Sequence, residues 1–376
     1  MMHRPFLLFM ACLLPATTLS YCHEEERRLH PVLCRWLEEK DTNRIAQEMN
    51  EWARQHHLLV DFRTEGTTAL DKEMTITKVS AKSRQLDASQ LPVVLAHGMG
   101  DSCFNKGMQH LTQHVSQLLG GVYTVCIPTG KNQQEDTKNG YFLNMDASVD
   151  VFAEAIQQND QLQNGFHAIG FSQGNNVIRG YMTRYNTPAV HTFLSINGVN
   201  AGEGAVPYCR PSFSSLFQTG FSMCDLLMEQ ASHRAYTQWS QQHSFQANYW
   251  RDPRLFAMPL YYEYSQLARW NQEGPHYQSN TTWIENYLKT QQFVWIMADE
   301  DAMVWPKEGE QWGAPDPDDP FERVLPMEET EWYTRDSFGL ATAQSQGKNY
   351  FETFPGDHLR FSMEDFERWI HTYLVH

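Results

Sequence analysis

Gly170-Phe171-Ser172-Gln173-Gly174 follows an apolar run containing Phe166, Ala168 and Ile169. It precedes a helical pattern that sets Val177, Ile178, Tyr181 and Met182 on one face. That is strand, sharp turn and helix, with a serine at the apex. A serine held in a strained turn leaves no room for side chains two residues to either side. Gly170 and Gly174 occupy those two places. The pentapeptide alone arises by chance, and an ordinary βα loop of small residues is the bland alternative. Its setting between a strand and a helix is what gives it weight.

Similar units lie on both sides. Val93-Val94-Leu95-Ala96 reads as a buried strand and runs into His97-Gly98-Met99-Gly100-Asp101-Ser102. A glycine-bearing loop at a strand end, near a reactive serine, can present backbone N–H groups to an oxyanion. Residues 121–127 read as the next strand. Asp146 is expected to cap a helix whose inner face is Val149, Phe152, Ala153 and Ile156. Further strands are expected at 193–196, 293–297 and 351–354. A last helix begins at Ser362, with Asp365 three residues on in a capping-box arrangement and Phe366, Trp369, Ile370 and Tyr373 on its buried face. Strands alternating with helices in this way imply an α/β class with a mostly parallel central sheet covered on both faces.

Residues 199–290 break the rhythm. A greasy segment over 213–228 is followed by Tyr249, Trp250, Leu255, Phe256, Tyr261, Tyr262 and Tyr264. This is expected to be a largely helical insertion between core strands. Its apolar residues either pack its own core or line a groove for an apolar chain, where each buried methylene contributes about 0.8 kcal/mol.

The 376 residues carry 41 % hydrophobic and 13 % aromatic residues, enough for a sizeable core, and a formal net charge of −16, which argues against a nucleic-acid partner. Residues 1–20 read as a secretory signal peptide: His3 and Arg4, then an apolar run too short to span a bilayer, then small or polar residues. No later stretch is apolar enough for a transmembrane helix. Residues 21–90 form an N-terminal extension, polar and helical over 22–57, with a strand hairpin within 58–80. Six cysteines follow the leader: Cys22, Cys34, Cys103, Cys126, Cys209 and Cys224. An even number in a secretory chain suggests disulfides. The preferred short-range pairs are Cys22–Cys34, Cys103–Cys126 and Cys209–Cys224, although connectivity does not follow from sequence. Asn280-Thr281-Thr282 is a glycosylation sequon. His110 and His114 lie four apart on a helix, but no third metal ligand accompanies them and a solvated face is the better reading.

The remaining polar candidates come after strands. Asp299-Glu300-Asp301 follows the strand at 293–297, and Gly356-Asp357-His358 follows the last strand. The order is then serine, acid, histidine, the chain order of an α/β-hydrolase triad. A serine hydroxyl needs a base within reach, and the base needs an orienting carboxylate. Ser172 is assigned as nucleophile, His358 as general base and acid, and Asp301 as the orienting carboxylate, with Asp299 in the same loop as the alternative. The backbone N–H groups of Gln173 and Met99 are the expected oxyanion donors. No metal or organic cofactor is required by this chemistry.

Several stretches together resemble one family, the palmitoyl-protein thioesterases. They are 97–103 (His-Gly-Met-Gly-Asp-Ser-Cys), 141–144 (Tyr-Phe-Leu-Asn), the serine pentapeptide, 249–253 (Tyr-Trp-Arg-Asp-Pro), Asp301 with Val304 and Pro306, Tyr333 with Asp336, Gly339 and Leu340, and 356–359 (Gly-Asp-His-Leu). They run in the family's order over roughly 91–376. The resemblance implies an α/β-hydrolase fold over 91–376, with 199–290 as the acyl-chain-binding insertion and Cys209 and Cys224 as a pair at its start. It implies Ser172, Asp301 and His358 as the triad, the spacing to Pro306 selecting Asp301, and Met99 and Gln173 at the oxyanion. It further implies a lysosomal enzyme that removes long-chain acyl groups from cysteine in S-acylated proteins or peptides. The chain departs from the pattern at Asn175, where a further glycine is expected, and at Phe104, which replaces the second of two adjacent cysteines and leaves Cys103 to find another partner or stay free. Residues 21–90 have no counterpart. The competing readings are a secreted lipase or esterase or an acyl-CoA thioesterase with the same triad, and a non-catalytic acyl-binding protein on a hydrolase scaffold.

Overall fold

The computed structural model describes residues 91–207, 228, 231, 234–254, 258–275 and 277–375. The leader, the extension 21–90 with its Cys22–Cys34 pair, Cys209, Cys224 and nearly all of the greasy segment lie outside the described residues.

The first strand, β1 (Val93–Ala96), is fully buried, as its unbroken apolar run requires for a strand covered on both faces. Helix α1 (Lys106–Leu118) follows, and then β2 (Thr124–Cys126), which is shorter than the expected 121–127. Gly120 and Gly121 take positive φ angles of 69° and 92°, so the chain is still turning where the strand was expected to start. Helix α2 (Gln133–Phe142) leads to α3 (Met145–Gln157). Asn144, not Asp146, caps α3: its side chain accepts the Ala147 N–H. Asp146 lies inside the first turn, where a carboxylate suits the helix dipole, and it accepts from Trp270 Nε1 at 3.0 Å and pairs with Arg269.

Strand β3 (Phe166–Phe171) and helix α4 (Gly174–Arg184) flank Ser172, and β4 (Val190–Ile196) follows. Between β4 and the next core strand come short helices, α5 (Gln238–His243), α6 (Phe245–Tyr249), α7 (Met258–Tyr264), α8 (Gln266–Asn271) and α9 (Thr281–Leu288). Tyr249, Trp250, Tyr261 and Trp270 from this region are buried in the main core, so these aromatics pack the molecule. After β5 (Gln292–Ala298) the chain makes a 3-10 turn (Lys307–Gln311). It then forms the antiparallel hairpin of β6 (Ala314–Asp316) and β7 (Asp319–Leu325). The hairpin was not expected, because Pro315, Pro317 and Pro320 disqualify the stretch as a core strand. Helices α10 (Glu331–Thr334) and α11 (Leu340–Ser345), strand β8 (Asn349–Phe354) and helix α12 (Met363–Leu374) complete the chain. Ser362 caps α12, accepting the Asp365 N–H.

The six-stranded sheet has the order β2-β1-β3-β4-β5-β8 and every pair is parallel. Alternate residues along each strand serve two cores. Val93, Leu95, Ile169, Leu194 and Ile296 pack against Phe366, Trp369 and Ile370 of α12. Val94, Ala168, Phe193 and Trp295 pack with Val149 and Phe152 of α3 and Val177, Ile178 and Tyr181 of α4. This is an α/β-hydrolase fold. Its parallel strands all end at one edge of the sheet, and the loops after β1, β3, β5 and β8 converge there. Cys103, in the loop after β1, is disulfide-bonded to Cys126 at the end of β2, with a Cα–Cα separation of 5.4 Å. His110 and His114 stack on the outer face of α1, where His114 pairs with Glu367 at 2.9 Å. No helix among the described residues is long and apolar enough to cross a membrane.

Candidate active site

Ser172 has a positive φ of 50°, a conformation that costs a non-glycine residue of order 1 kcal/mol or more and is found where structure over-determines it. The neighbouring glycines explain how the turn closes. A Cβ on Gly174 would lie 2.3 Å from the carbonyl oxygen of Ala96 and 2.6 Å from that of His97. A Cβ on Gly170 would lie 2.2 Å from the Asn175 side chain. Asn175, the departure from glycine, braces the turn: its Nδ2 donates to the carbonyl oxygens of Ser172 and Ile196, both at 2.9 Å.

The turn presents Ser172 to the loop after β8. Ser172 Oγ lies 2.9 Å from His358 Nε2, and His358 Nδ1 lies 2.6 Å from Asp301 Oδ2. Asp301 is buried. Its other oxygen accepts the N–H groups of Met303 and Val304, both at 2.8 Å. Burial pushes the Asp301 carboxyl up, but His358 and the hydrogen bonds it accepts outweigh burial and bring it down to about 2. Asp299, the alternative acid, is exposed on the same loop and does not reach His358. The arrangement is a proton path: Nδ1–H is held by a carboxylate, so Nε2 is left to accept the serine proton.

The loop after β1 runs against the serine. A Cβ on Gly98, the residue before Met99, would lie 3.2 Å from Ser172 Cβ, so this loop packs closely against the serine. The Gln173 side chain is fixed from outside the sheet. Its Nε2 donates to the Gly140 carbonyl at 2.7 Å, and its Oε1 accepts from Gln246 Nε2 at 2.8 Å. The loop itself is anchored by Asp136 of α2. This carboxylate accepts from Ser102 Oγ and the Cys103 N–H, both at 2.9 Å, and from the Thr129 N–H at 2.7 Å. It also faces His97 Nε2 at 3.1 Å. The other His97 nitrogen lies 2.9 Å from the Gly98 carbonyl oxygen, so both ring nitrogens face acceptors. Burial lowers the His97 pKa, but Asp136, the charge of Asp101 and the Gly98 carbonyl raise it above its ordinary value.

Asp136, Gln246 and two further residues, Asn197 and Glu310, escaped the sequence reading. Glu310 and Asp136 stand in charged stretches that look like solvated faces, and nothing in the local pattern marks them as buried. Asn197, at the end of β4 with a φ of 46°, donates to Glu310 Oε2 at 2.8 Å and accepts the Leu359 N–H at 3.0 Å.

The family model for palmitoyl protein thioesterase matches residues 92–358. Palmitoyl-protein thioesterase 1 of Caenorhabditis elegans is 30 % identical over 72 % of this chain and 87 % of its own length. Palmitoyl-protein thioesterase 3 of Dictyostelium discoideum is 29 % identical over 73 % of this chain and 87 % of its own. Lysosomal thioesterase PPT2 of Homo sapiens is 28 % identical over 69 % of this chain and 79 % of its own. The matched region spans every strand of the parallel sheet and each of the loops that meet at Ser172, and by that match the chain belongs to the palmitoyl protein thioesterase family.

Proposed function

We propose that this protein hydrolyses long-chain acyl thioesters on cysteine residues of S-acylated proteins or peptides, with Ser172, His358 and Asp301 as its catalytic triad. The observation that carries the reading is the unbroken hydrogen-bonded chain from Ser172 Oγ through His358 to the buried Asp301. His358 Nε2 takes the proton as Oγ attacks the thioester carbonyl. Asp301 stabilises the imidazolium that forms. The backbone N–H groups of Met99 and Gln173 receive the oxyanion. Collapse expels the cysteine sulfur, protonated by His358. Water, activated by the same histidine, then releases the fatty acid. A thiolate leaves far more readily than an alkoxide, since a thiol's pKa is about 8.5 against roughly 16 for water-like oxygen. An acyl chain finds its counterpart in the apolar residues of 213–227, within the proposed acyl-binding insertion 199–290.

The reading extends to place. A leader at 1–20, the sequon at Asn280 and a human relative named as lysosomal support passage through the secretory route to the lysosome. Asn280 is exposed and its Oδ1 caps α9, a bond that a glycan on Nδ2 leaves intact. Recovery of an unglycosylated protein from the cytosol would overturn this part.

The test is hydrolysis of a palmitoyl-cysteine peptide beside its palmitoyl-serine analogue by wild type and Ser172→Ala. Thioester cleavage that falls by at least about 10⁴-fold in the variant is expected. Faster cleavage of the oxygen ester would move the assignment to a lipase or esterase with the same triad. Activity retained without Ser172 would sink the mechanism.

A further inference from the structure

Glu310 is a buried carboxyl that the mechanism above does not use. It sits on the 3-10 turn Lys307–Gln311, completely shielded from solvent, with its side chain directed into the loops around Asp301. One oxygen, Oε2, accepts from Asn197 Nδ2 at 2.8 Å and weakly from the Ala298 N–H at 3.4 Å. The other, Oε1, is buried with no N–H or O–H donor in reach among the described residues. Beside this carboxyl stands the carboxyl of Asp301, itself buried. Glu310, Asp301 and His358 each offer an atom within 4.8 Å of the others.

Two buried carboxylates this close repel, and ionising both is costly. That cost favours keeping one proton on the pair, and the hydrogen bonds to each carboxyl decide which side holds it. Asp301 accepts two backbone N–H groups at 2.8 Å and His358 at 2.6 Å, so its negative charge is satisfied. Glu310 has one good donor. The proton therefore belongs to Glu310. The titratable groups facing this carboxyl are Asp301 and, beyond it, His358; Glu203, from the segment after β4, is a further buried carboxyl that feels the Asp301 charge.

We propose that Glu310 is a positioning residue for this reaction: as the neutral acid it donates its O–H to Asp301, fixing the carboxylate that orients His358. The same side chain ties in the histidine loop. Asn197, which bonds Glu310 Oε2, accepts the N–H of Leu359, the residue after His358. The Glu310 carbonyl also accepts from Asn200 Nδ2 at 2.8 Å, which pins the turn to the segment after β4. A neutral donor holds Asp301 without adding a second charge beside the histidine, so His358 is not driven toward permanent protonation. The inference rests on the triad reading of Ser172, His358 and Asp301.

The decisive experiment compares Glu310→Gln and Glu310→Leu by steady-state kinetics across pH, with Ser172→Ala in parallel. Gln keeps a neutral donor toward Asp301 and an acceptor for Asn197. Glu310→Gln should retain most of the wild-type kcat/KM and the same acidic limb. Glu310→Leu should lose about 10- to 100-fold in kcat with little change in KM, the size of a lost hydrogen bond to a charged group. Its acidic limb should move to higher pH, because the undonated Asp301 charge favours the imidazolium. If the acidic limb of Glu310→Gln instead moves to lower pH, Glu310 was ionised and the proposal fails. If Glu310→Leu matches wild type in rate and pH profile, Glu310 positions nothing, which also overturns it. Should the leucine variant not fold, infrared difference spectra at neutral pH decide. A protonated-carboxyl component that wild type has and Glu310→Gln lacks supports the proposal, and a carboxyl region that this substitution leaves unchanged refutes it. That spectrum does not depend on catalysis, so failure of the triad reading would show separately as activity surviving in Ser172→Ala.

Discussion

At the scale of single residues, Asp136 has the widest reach. It gathers donors from the loop after β1 and from Thr129, and it pairs with His97 at 3.1 Å inside the protein. Burial opposes its charge, but His97, Ser102 and Cys103 hold its pKa below the ordinary carboxyl value, while His97 is held above its own. The linkage has two limbs. The depressed carboxyl contributes stability above its unfolded pKa of about 3.9, lost as pH falls through the folded value. The raised histidine contributes below about 6.5, lost as pH rises through its folded value. Asp136→Asn strands a buried histidine and should cost about 3–5 kcal/mol. The deficit relative to wild type should be widest between roughly pH 4 and 6.5 and shrink on either side. Urea titrations across pH measure it, and a deficit independent of pH would refute the buried ion pair. None of this was legible in the sequence, because Asp136 follows Gln133, Gln134 and Glu135 in a stretch that reads as a solvated helix face. Ser172 and His358 were legible because each is tied to backbone events with a sequence signature: glycines that a strained turn demands, and a glycine-bearing loop after a strand.

The elements were more visible than the contacts between them. Strand runs such as Val93–Ala96 and Phe166–Phe171 show through because a strand buried on both faces tolerates almost nothing polar. Caps were harder to read: Asp146 and Asn144 are both good N-cap residues, and the choice between them depends on where α2 releases the chain. Helix–helix spacing leaves even less trace. Gly180 lies mid-helix in α4, where glycine costs about 1 kcal/mol relative to alanine. Its reason is tertiary: a Cβ there would lie 2.5 Å from both Trp270 Cη2 of α8 and Val149 Cγ2 of α3. Both neighbours are completely buried and close-packed, so neither can retreat freely. Overpacking of this kind costs about 1–3 kcal/mol, which outweighs the propensity gain. Gly180→Ala should therefore lower the unfolding midpoint in urea. A midpoint equal to or above wild type would show that α4 has room to shift against α3 and α8.

At the scale of the whole molecule, buried carboxyls tilt stability toward acid. Glu310 and Glu203 are both buried, and burial, reinforced by the nearby Asp301 charge, raises each well above the ordinary carboxyl value; the hydrogen bonds they accept oppose this only in part. The sign follows from proton counting. Above the unfolded carboxyl pKa of about 4.3, the folded protein binds a proton at each site that the unfolded chain has released, so stability falls as pH rises. Each site contributes a slope of about −1.4 kcal/mol per pH unit until its folded pKa is reached, and two together about −2.7. His97 acts in the same direction above about pH 6.5. A formal charge of −16 at pH 7 adds self-repulsion that acid relieves. The opposing limb comes from Asp136, held below the usual carboxyl value, and Asp301, held at about 2; both lose their contribution when pH falls below about 4. Together these limbs predict a stability maximum in mildly acid solution rather than at neutrality. Wild type should therefore unfold at higher urea at pH 5 than at pH 7.5. The double variant Glu203→Gln with Glu310→Gln, whose amides do not titrate, should show a much flatter profile over the same range. Equal stability of wild type at the two pH values would mean that the buried carboxyls are ionised. A slope unchanged in the double variant would assign the acid preference to surface charge instead.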